Sequence, residues 1–209
     1  APVQHLGDDV HTIEGSPADC ANVGIHHLAP DKPKLVVSGV NIGENAGLAF
    51  LLSSGTVGAA IEASLSGVPA AAFSVKLSAE LYNGWRESRD PAPLYPIWER
   101  AAAIVNDITT ELLSRGLPEG ARLISVNIPQ DADHSTPRVL TQVSETSYGS
   151  YFRRDDDSLV HHYSGLRRTK ANPVGDVEVL DSGSVSITPI RMSLSTVPSS
   201  TDRARFERS

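Results

Sequence analysis

The 209-residue chain has a single cysteine, Cys20. One thiol excludes an internal disulfide and any thiolate zinc site, and makes a reducing compartment, the cytoplasm, the expected location. Long apolar runs are missing too. Nothing approaches the roughly 20 consecutive apolar residues that a membrane helix needs, so no membrane partner is expected. Basic charge is scarce: 18 Lys and Arg stand against 25 Asp and Glu, a net charge of −7, with no Lys/Arg cluster. A chain of that kind is a poor match to the phosphate backbone of DNA or RNA. Internal repeats, low-complexity segments and a basic-then-apolar signal pattern are likewise absent. What remains is ordinary globular composition, 40% hydrophobic and 21% charged.

The first firm element is Gly15-Ser16-Pro17-Ala18-Asp19-Cys20. Ser16 can cap a helix, Pro17 fits its first position, and Asp19 completes a capping box. Pro30 and Pro33 stop that helix. Leu35-Val36-Val37 predicts a short strand buried on both faces. A polar turn follows from Ser38 to Gly47. Ser53-Ser54-Gly55 then opens a helix running to about Ala63, and Ala70 to Val75 forms the next apolar strand. Strand, loop, small-residue helix and strand make a βαβ crossover, which implies a parallel sheet.

Leu94, Ile97, Ala101, Ile104, Ile108 and Leu112 recur at three- and four-residue steps, so a long amphipathic helix closes at Gly116. Leu123–Pro129 and Gly183–Ile190 are further predicted strands. Residues 136–170 carry β-branched residues, Tyr148, Tyr151, Phe152, Tyr163 and the charged turn Arg153-Arg154-Asp155-Asp156-Asp157, and predict an extended hairpin. Residues 1–196 are expected to form one α/β domain, and 197–209 a polar tail, frayed or docked on a partner.

In an open parallel sheet, ligands bind beyond the carboxyl ends of the strands. Asn41 lies just past such an end, and its amide oxygen is a hard ligand suited to Mg²⁺ or Mn²⁺. Ser54, Gly55 and Thr56 begin the following helix, where free N–H groups, the helix dipole and two hydroxyls favour an anion such as phosphate. An equally physical reading makes Ser54 a plain N-cap and Asn41 a turn former.

Three segments carry a resemblance: Leu35-Val36-Val37-Ser38-Gly39-Val40-Asn41-Ile42-Gly43-Glu44-Asn45, Ser54-Gly55-Thr56-Val57-Gly58-Ala59-Ala60, and Gly67-Val68-Pro69-Ala70. With Gly15–Cys20, Val126–Pro129 and Gly183–Pro189, they closely resemble the survival protein SurE family over about residues 15–196. The resemblance implies a Rossmann-like parallel sheet flanked by helices, with an added β-hairpin and a C-terminal tail used in oligomerisation. It implies a metal-dependent phosphomonoesterase acting on nucleoside 5'- and 3'-monophosphates, with Mg²⁺ or Mn²⁺ as cofactor and a homodimer or homotetramer as the assembly. It further implies that Asn41 is a metal ligand, and that Asn45, Ser54, Gly55 and Thr56 line the phosphate pocket.

The family's other metal ligands sit in an Asn-Asp-Asp-Gly motif after its first strand and in a Ser-Gly loop, and neither occurs here. Asp8-Asp9 does not substitute, because no apolar strand precedes it and Gly7 stands before the pair; it reads as a solvated turn. The expectation is therefore that the sequence begins after the first βαβ unit of a longer protein. The alternative is a catalytically inactive nucleotide- or anion-binding oligomer of the same fold. One extra residue between Asn45 and Gly55 makes Ser53 compete with Ser54, and Leu48-Ala49-Phe50 stands where the family often has acidic residues. Other candidates fare worse. Cys20 reads as small-residue packing, and the adjacent pairs His26-His27 and His161-His162 cannot form two-His metal faces. Ser54 lacks the elbow and base of an acyl-enzyme nucleophile. Trp85 and Trp98 read as packing residues.

Overall fold

The computed structural model describes residues 2–161, 165–193 and 195–207. A hairpin of β1 (Val3–Gly7) and β2 (Val10–Ile13) leads into α1 (Pro17–Val23), extended by a π-helical turn at Gly24–Leu28. Then come β3 (Val36–Ile42), α2 (Leu48–Ser53), α3 (Gly55–Leu65), β4 (Ala70–Lys76), α4 (Ala79–Ser88) and α5 (Tyr95–Arg115). β5 (Leu123–Pro129), β6 (Arg138–Leu140), β7 (Thr146–Tyr148), β8 (Phe152–Asp155), β9 (Ser158–His161) and β10 (Leu166–Arg168) follow. The chain ends with α6 (Asp176–Asp181), β11 (Val185–Ile190) and α7 (Ser200–Phe206). No helix among the described residues is long and apolar enough to cross a membrane.

The central sheet has the order β3-β4-β5-β11-β6. β3, β4 and β5 are parallel, as the crossover pattern predicts, but β11 runs antiparallel to β5, so the sheet is mixed. Both faces are covered. Phe73, Val75, Val126 and Ile128 pack under Ile97, Ala101, Ile104 and Ile108 of α5. On the other face, Val57, Ala60 and Ala63 of α3 press on Ala70, Ala72 and Leu123. The small side chains let α3 approach the sheet closely at interior packing density. Burial of each large apolar side chain here stabilises the fold by about 1.5–3 kcal/mol relative to exposure.

Several expectations need correction. Leu35-Val36-Val37 is not buried on both faces: among the described residues β3 is the sheet's edge strand, paired with β4 alone, and Val37 is 42% exposed. Its open side borders an apolar groove of about 550 Å³ that also involves Cys20. Cys20 is accordingly exposed rather than packed. The aromatic-rich region is not one hairpin from residue 136, since β6 joins the central sheet. Its protrusion has two tiers, β7 with β10 and then β8 with β9. The charged turn sits at the tip, as expected, with Asp156 in the left-handed region. Asp8 and Asp9 do form a turn, at φ 44° and 63°, but a β-hairpin surrounds it. The tail holds helix α7, opened by a Ser199–Asp202 capping box. Tyr163 and His162 lie outside the described residues.

Candidate functional site

The site begins with a bulge. β3 and β4 pair in register from Val36↔Ala70 to Ser38↔Ala72, and resume at Asn41↔Ser74, so β3 holds one extra residue. Gly39 makes this possible: its φ is +115°, and an added Cβ would overlap the Phe73 carbonyl oxygen. Bulges of this kind re-aim side chains beside functional sites. Here the bulge carries Asn41 to the carboxyl rim of the sheet. Its amide Nδ2 donates to the Gly43 carbonyl at 2.8 Å, which leaves Oδ1 as the atom that can accept a donor or meet a cation.

Register extends from Asn41 across the sheet. Asn41 pairs with Ser74, Ser74 with Asn127, and Asn127 with Ser186, giving a polar row through otherwise apolar strands. Asn45 is buried above this row. Its backbone N–H donates to Asn127 Oδ1 at 2.7 Å and its Nδ2 donates to Ser74 Oγ at 2.5 Å. The Asn45 side chain thus anchors the loop to the sheet. Asp176, fully buried, accepts from the N–H groups of Gly47 and Ser144, each at 2.9 Å, and pins the loop from the other side. Ser74, Asn127, Ser186 and Asp176 escape a reading of the sequence. The usable signal is a lone polar residue inside an apolar strand.

At the carboxyl ends of β3 and β4 lies a cleft of about 940 Å³ that includes Asn41, Gly43, Glu44 and Lys76. Lys76 Nζ stands 3.0 Å from Glu44 Oε2 and 2.5 Å from Asp181 Oδ1, and Arg168 pairs with the same Asp181. Burial works against the Lys76 charge, but the Asp181 hydrogen bond and the Glu44 charge outweigh it, so Lys76 titrates above its ordinary value.

Ser54, Gly55 and Thr56 do not line this cleft. They form the start of α3, as the sequence predicts. Ser54 Oγ accepts from the Val57 N–H at 3.1 Å as an N-cap. Ser53 Oγ instead donates back to the Ala49 carbonyl at 3.0 Å, so its hydroxyl belongs to α2. Gly55 is exposed and abuts the first turn of α1, where an added Cβ would lie 3.0 Å from the Pro17 ring. Thr56 is half-buried. The first N–H groups of α3 have no carbonyl a turn earlier to bond, which suits them to an anion.

Among the described residues, no three of His, Cys, Asp and Glu converge as a metal centre. Asn41 offers one neutral oxygen, and Glu44 is already held by Lys76. Divalent hard cations take most of their attraction from carboxylates. These donors alone do not fit a complete Mg²⁺ or Mn²⁺ site.

Comparison with known proteins agrees with this fold. Residues 3–150 match the sequence model of the family described as survival protein SurE. The chain is 32% identical over 201 residues to a protein of Methanocella arvoryzae named 5'-nucleotidase SurE, covering 90% of this chain and 71% of that protein. It is 34% identical over 197 residues to the protein of the same name from Pelobacter propionicus, covering 92% and 73%. The crystal structure of the SurE protein from Aquifex aeolicus superposes with a TM-score of 0.69 at 27% identity, covering 93% of this chain and 75% of that one. On the strength of both sequence and fold, the chain belongs to the SurE family.

Proposed function

We propose that this chain is a 5'-nucleotidase, a phosphoric monoester hydrolase releasing phosphate from nucleoside 5'- and 3'-monophosphates. The observation that carries the reading is the bulge at Gly39–Val40, which sets Asn41 at the carboxyl rim of the same βαβ unit whose helix α3 opens with Ser54, Gly55 and Thr56. Family membership and the names of the relatives support it. The α3 N-terminus and the Thr56 hydroxyl hold the phosphoryl oxygens and offset charge developing there. Asn45 keeps the intervening loop in place through Ser74 and Asn127. The reading includes metal dependence on Mg²⁺ or Mn²⁺, with Asn41 as one ligand. It also includes a cytoplasmic location and a homodimer or homotetramer.

The test compares the 209-residue chain with a version preceded by a segment bearing the Asn-Asp-Asp-Gly motif, on AMP and p-nitrophenyl phosphate with Mn²⁺. The short chain should release little phosphate and the extended one should be active. In the extended version, Thr56→Val should cost on the order of a hundredfold in rate at saturating Mn²⁺, the scale of one lost preorganised donor. Asn41→Ala should recover part of its rate as Mn²⁺ rises, whereas Cys20→Ala and His26→Ala should be nearly silent. Full activity in the short chain would bring Asp8 and Asp9 back into contention. Nucleotide binding without turnover in both versions would favour an inactive binding protein of the same fold.

A further inference from the structure

The cleft beside Asn41 holds more than the phosphate chemistry needs. Two aromatic groups from different parts of the fold border it. Tyr82 and Trp85 come from α4, with ring centroids 6.1 Å apart. Phe50 of α2 and Tyr151 of the β7–β8 connection come from the opposite part of the chain, joined through Tyr148, whose ring lies 6.3 Å from Phe50 and 4.6 Å from Tyr151. Burial, and after it the neighbouring Tyr148, lift the Tyr151 phenol above its ordinary value.

Cation and amide groups share the same walls. The Arg89 guanidinium lies over the Trp85 ring, 5.3 Å from its centroid. Arg86 and Asn83 also line the cleft, and among the described residues no carboxylate pairs with Arg86 or Arg89. Aromatic faces with a guanidinium plane and an amide are the groups that stack a heteroaromatic ring and bond its edge. A volume of about 940 Å³ is ample for a nucleoside. An apolar peptide or lipid would not call for the two arginines, and a bare phosphate would not call for four aromatic side chains.

We propose that this cleft is the nucleobase subsite, with Tyr82 and Trp85 as the stacking face and Arg86, Arg89 and Asn83 as edge contacts that set base preference. The inference rests on the nucleotidase reading for its choice of ligand, but it is a statement about binding and can be tested without turnover. Gly43 joins the two parts of the site: it lies between Asn41 and Glu44, and a Cβ built on it would be in ordinary van der Waals contact with Tyr82, 4.0 Å from Cε2. The base would therefore lie beside Asn41, which lines the same cleft.

The experiment uses the 209-residue chain with Trp98→Phe, which leaves Trp85 as the sole tryptophan. Adenosine, ribose 5-phosphate and inorganic phosphate are titrated separately, with Trp85 fluorescence and calorimetry as readouts. Adenosine should quench Trp85 saturably, and Tyr82→Ala should weaken adenosine roughly tenfold, the scale of one base–aromatic stack. Arg89→Gln should change the ranking of adenosine, cytidine and guanosine. Ribose 5-phosphate and inorganic phosphate should leave Trp85 fluorescence unchanged. Quenching by phosphate rather than adenosine, or adenosine affinity indifferent to both Tyr82→Ala and Arg89→Gln, overturns the proposal. Adenosine binding that persists when the extended chain fails to hydrolyse AMP would uphold the subsite and remove the nucleotidase reading; hydrolysis without Trp85 quenching would do the reverse.

Discussion

Asp176 is the residue whose loss should separate positioning from chemistry. It is fully buried, and it accepts from the N–H groups of Gly47 and Ser144 at 2.9 Å each. A third donor, the Val177 N–H, also reaches Ser144 Oγ at 3.2 Å, so it keeps a partner if Asp176 is truncated. Asp176→Ala therefore orphans two buried amides. Each such amide costs about 1–3 kcal/mol, so the variant should lose about 4 kcal/mol, before any void is counted. That is a large share of the 5–15 kcal/mol typical of a folded domain. At roughly 2–4 °C per kcal/mol for a chain of this size, Tm should fall by about 8–16 °C. Asp176→Asn keeps one acceptor oxygen and turns an NH₂ toward the other amide, so about half the loss should remain. Urea unfolding followed by circular dichroism measures both, with Asp155→Ala on exposed β8 as the silent control. A loss below 1 kcal/mol for Asp176→Ala would refute the claim that this carboxylate holds the 43–47 loop.

Two further predictions concern the periphery. The β8–β9 tier exposes Phe152, Leu159 and Val160, at 54%, 62% and 42%, a larger apolar display than a hairpin tip needs. Light scattering at micromolar concentration should show a dimer or tetramer, and a stable monomer would dismiss the hairpin as an assembly surface. In the α1 capping box, the Ser16 hydroxyl and N–H both donate to Asp19, and hold its carboxyl below the ordinary value of 3.8. A depressed carboxylate contributes stability that is present above 3.8 and lost as pH falls through its folded value. The NMR titration of Asp19 should have its midpoint below 3.8, and Ser16→Ala should move it upward; a midpoint unaffected by that change would disprove the box.

The elements legible in the sequence were those whose signals are local. α3 and α5 announce themselves through capping and three- and four-residue spacing, and β4 and β5 through unbroken apolar runs. The crossover from β3 to β4 fixed their parallel pairing. Other elements depend on distant neighbours. Whether Leu35-Val36-Val37 is central or marginal depends on what pairs beside β3, which no residue within the run specifies. Cys20, which borders the same groove as β3, is likewise exposed. α4 is capped by Ser78 but carries Asn83 and Gly84 in its middle, which mask its helical period. The direction of β11 reverses the simple parallel expectation, because its approach follows α6 rather than a crossover from β5.

The site divides along the same line. Asn41 and the Ser54-Gly55-Thr56 start could be read because strand ends and helix starts are visible in one dimension. Asn45 could be singled out, but its partners could not, since Ser74 and Asn127 lie 29 and 82 residues away and meet it only through strand register. Sheet register also turns the isolated polar residues Ser74, Asn127 and Ser186 into one buried row that continues to Asn41. A polar side chain placed in an apolar strand costs stability unless something bonds it. Ser74 and Asn127 are bonded by the loop that carries Asn45, so the loop's shape and the row's composition require one another. A hydrophobic residue at Ser74 or Asn127 would suit the strand better, yet it would release the segment joining Asn41 to α3. The polar row in the sheet is thus the part of the fold that serves the site rather than the core.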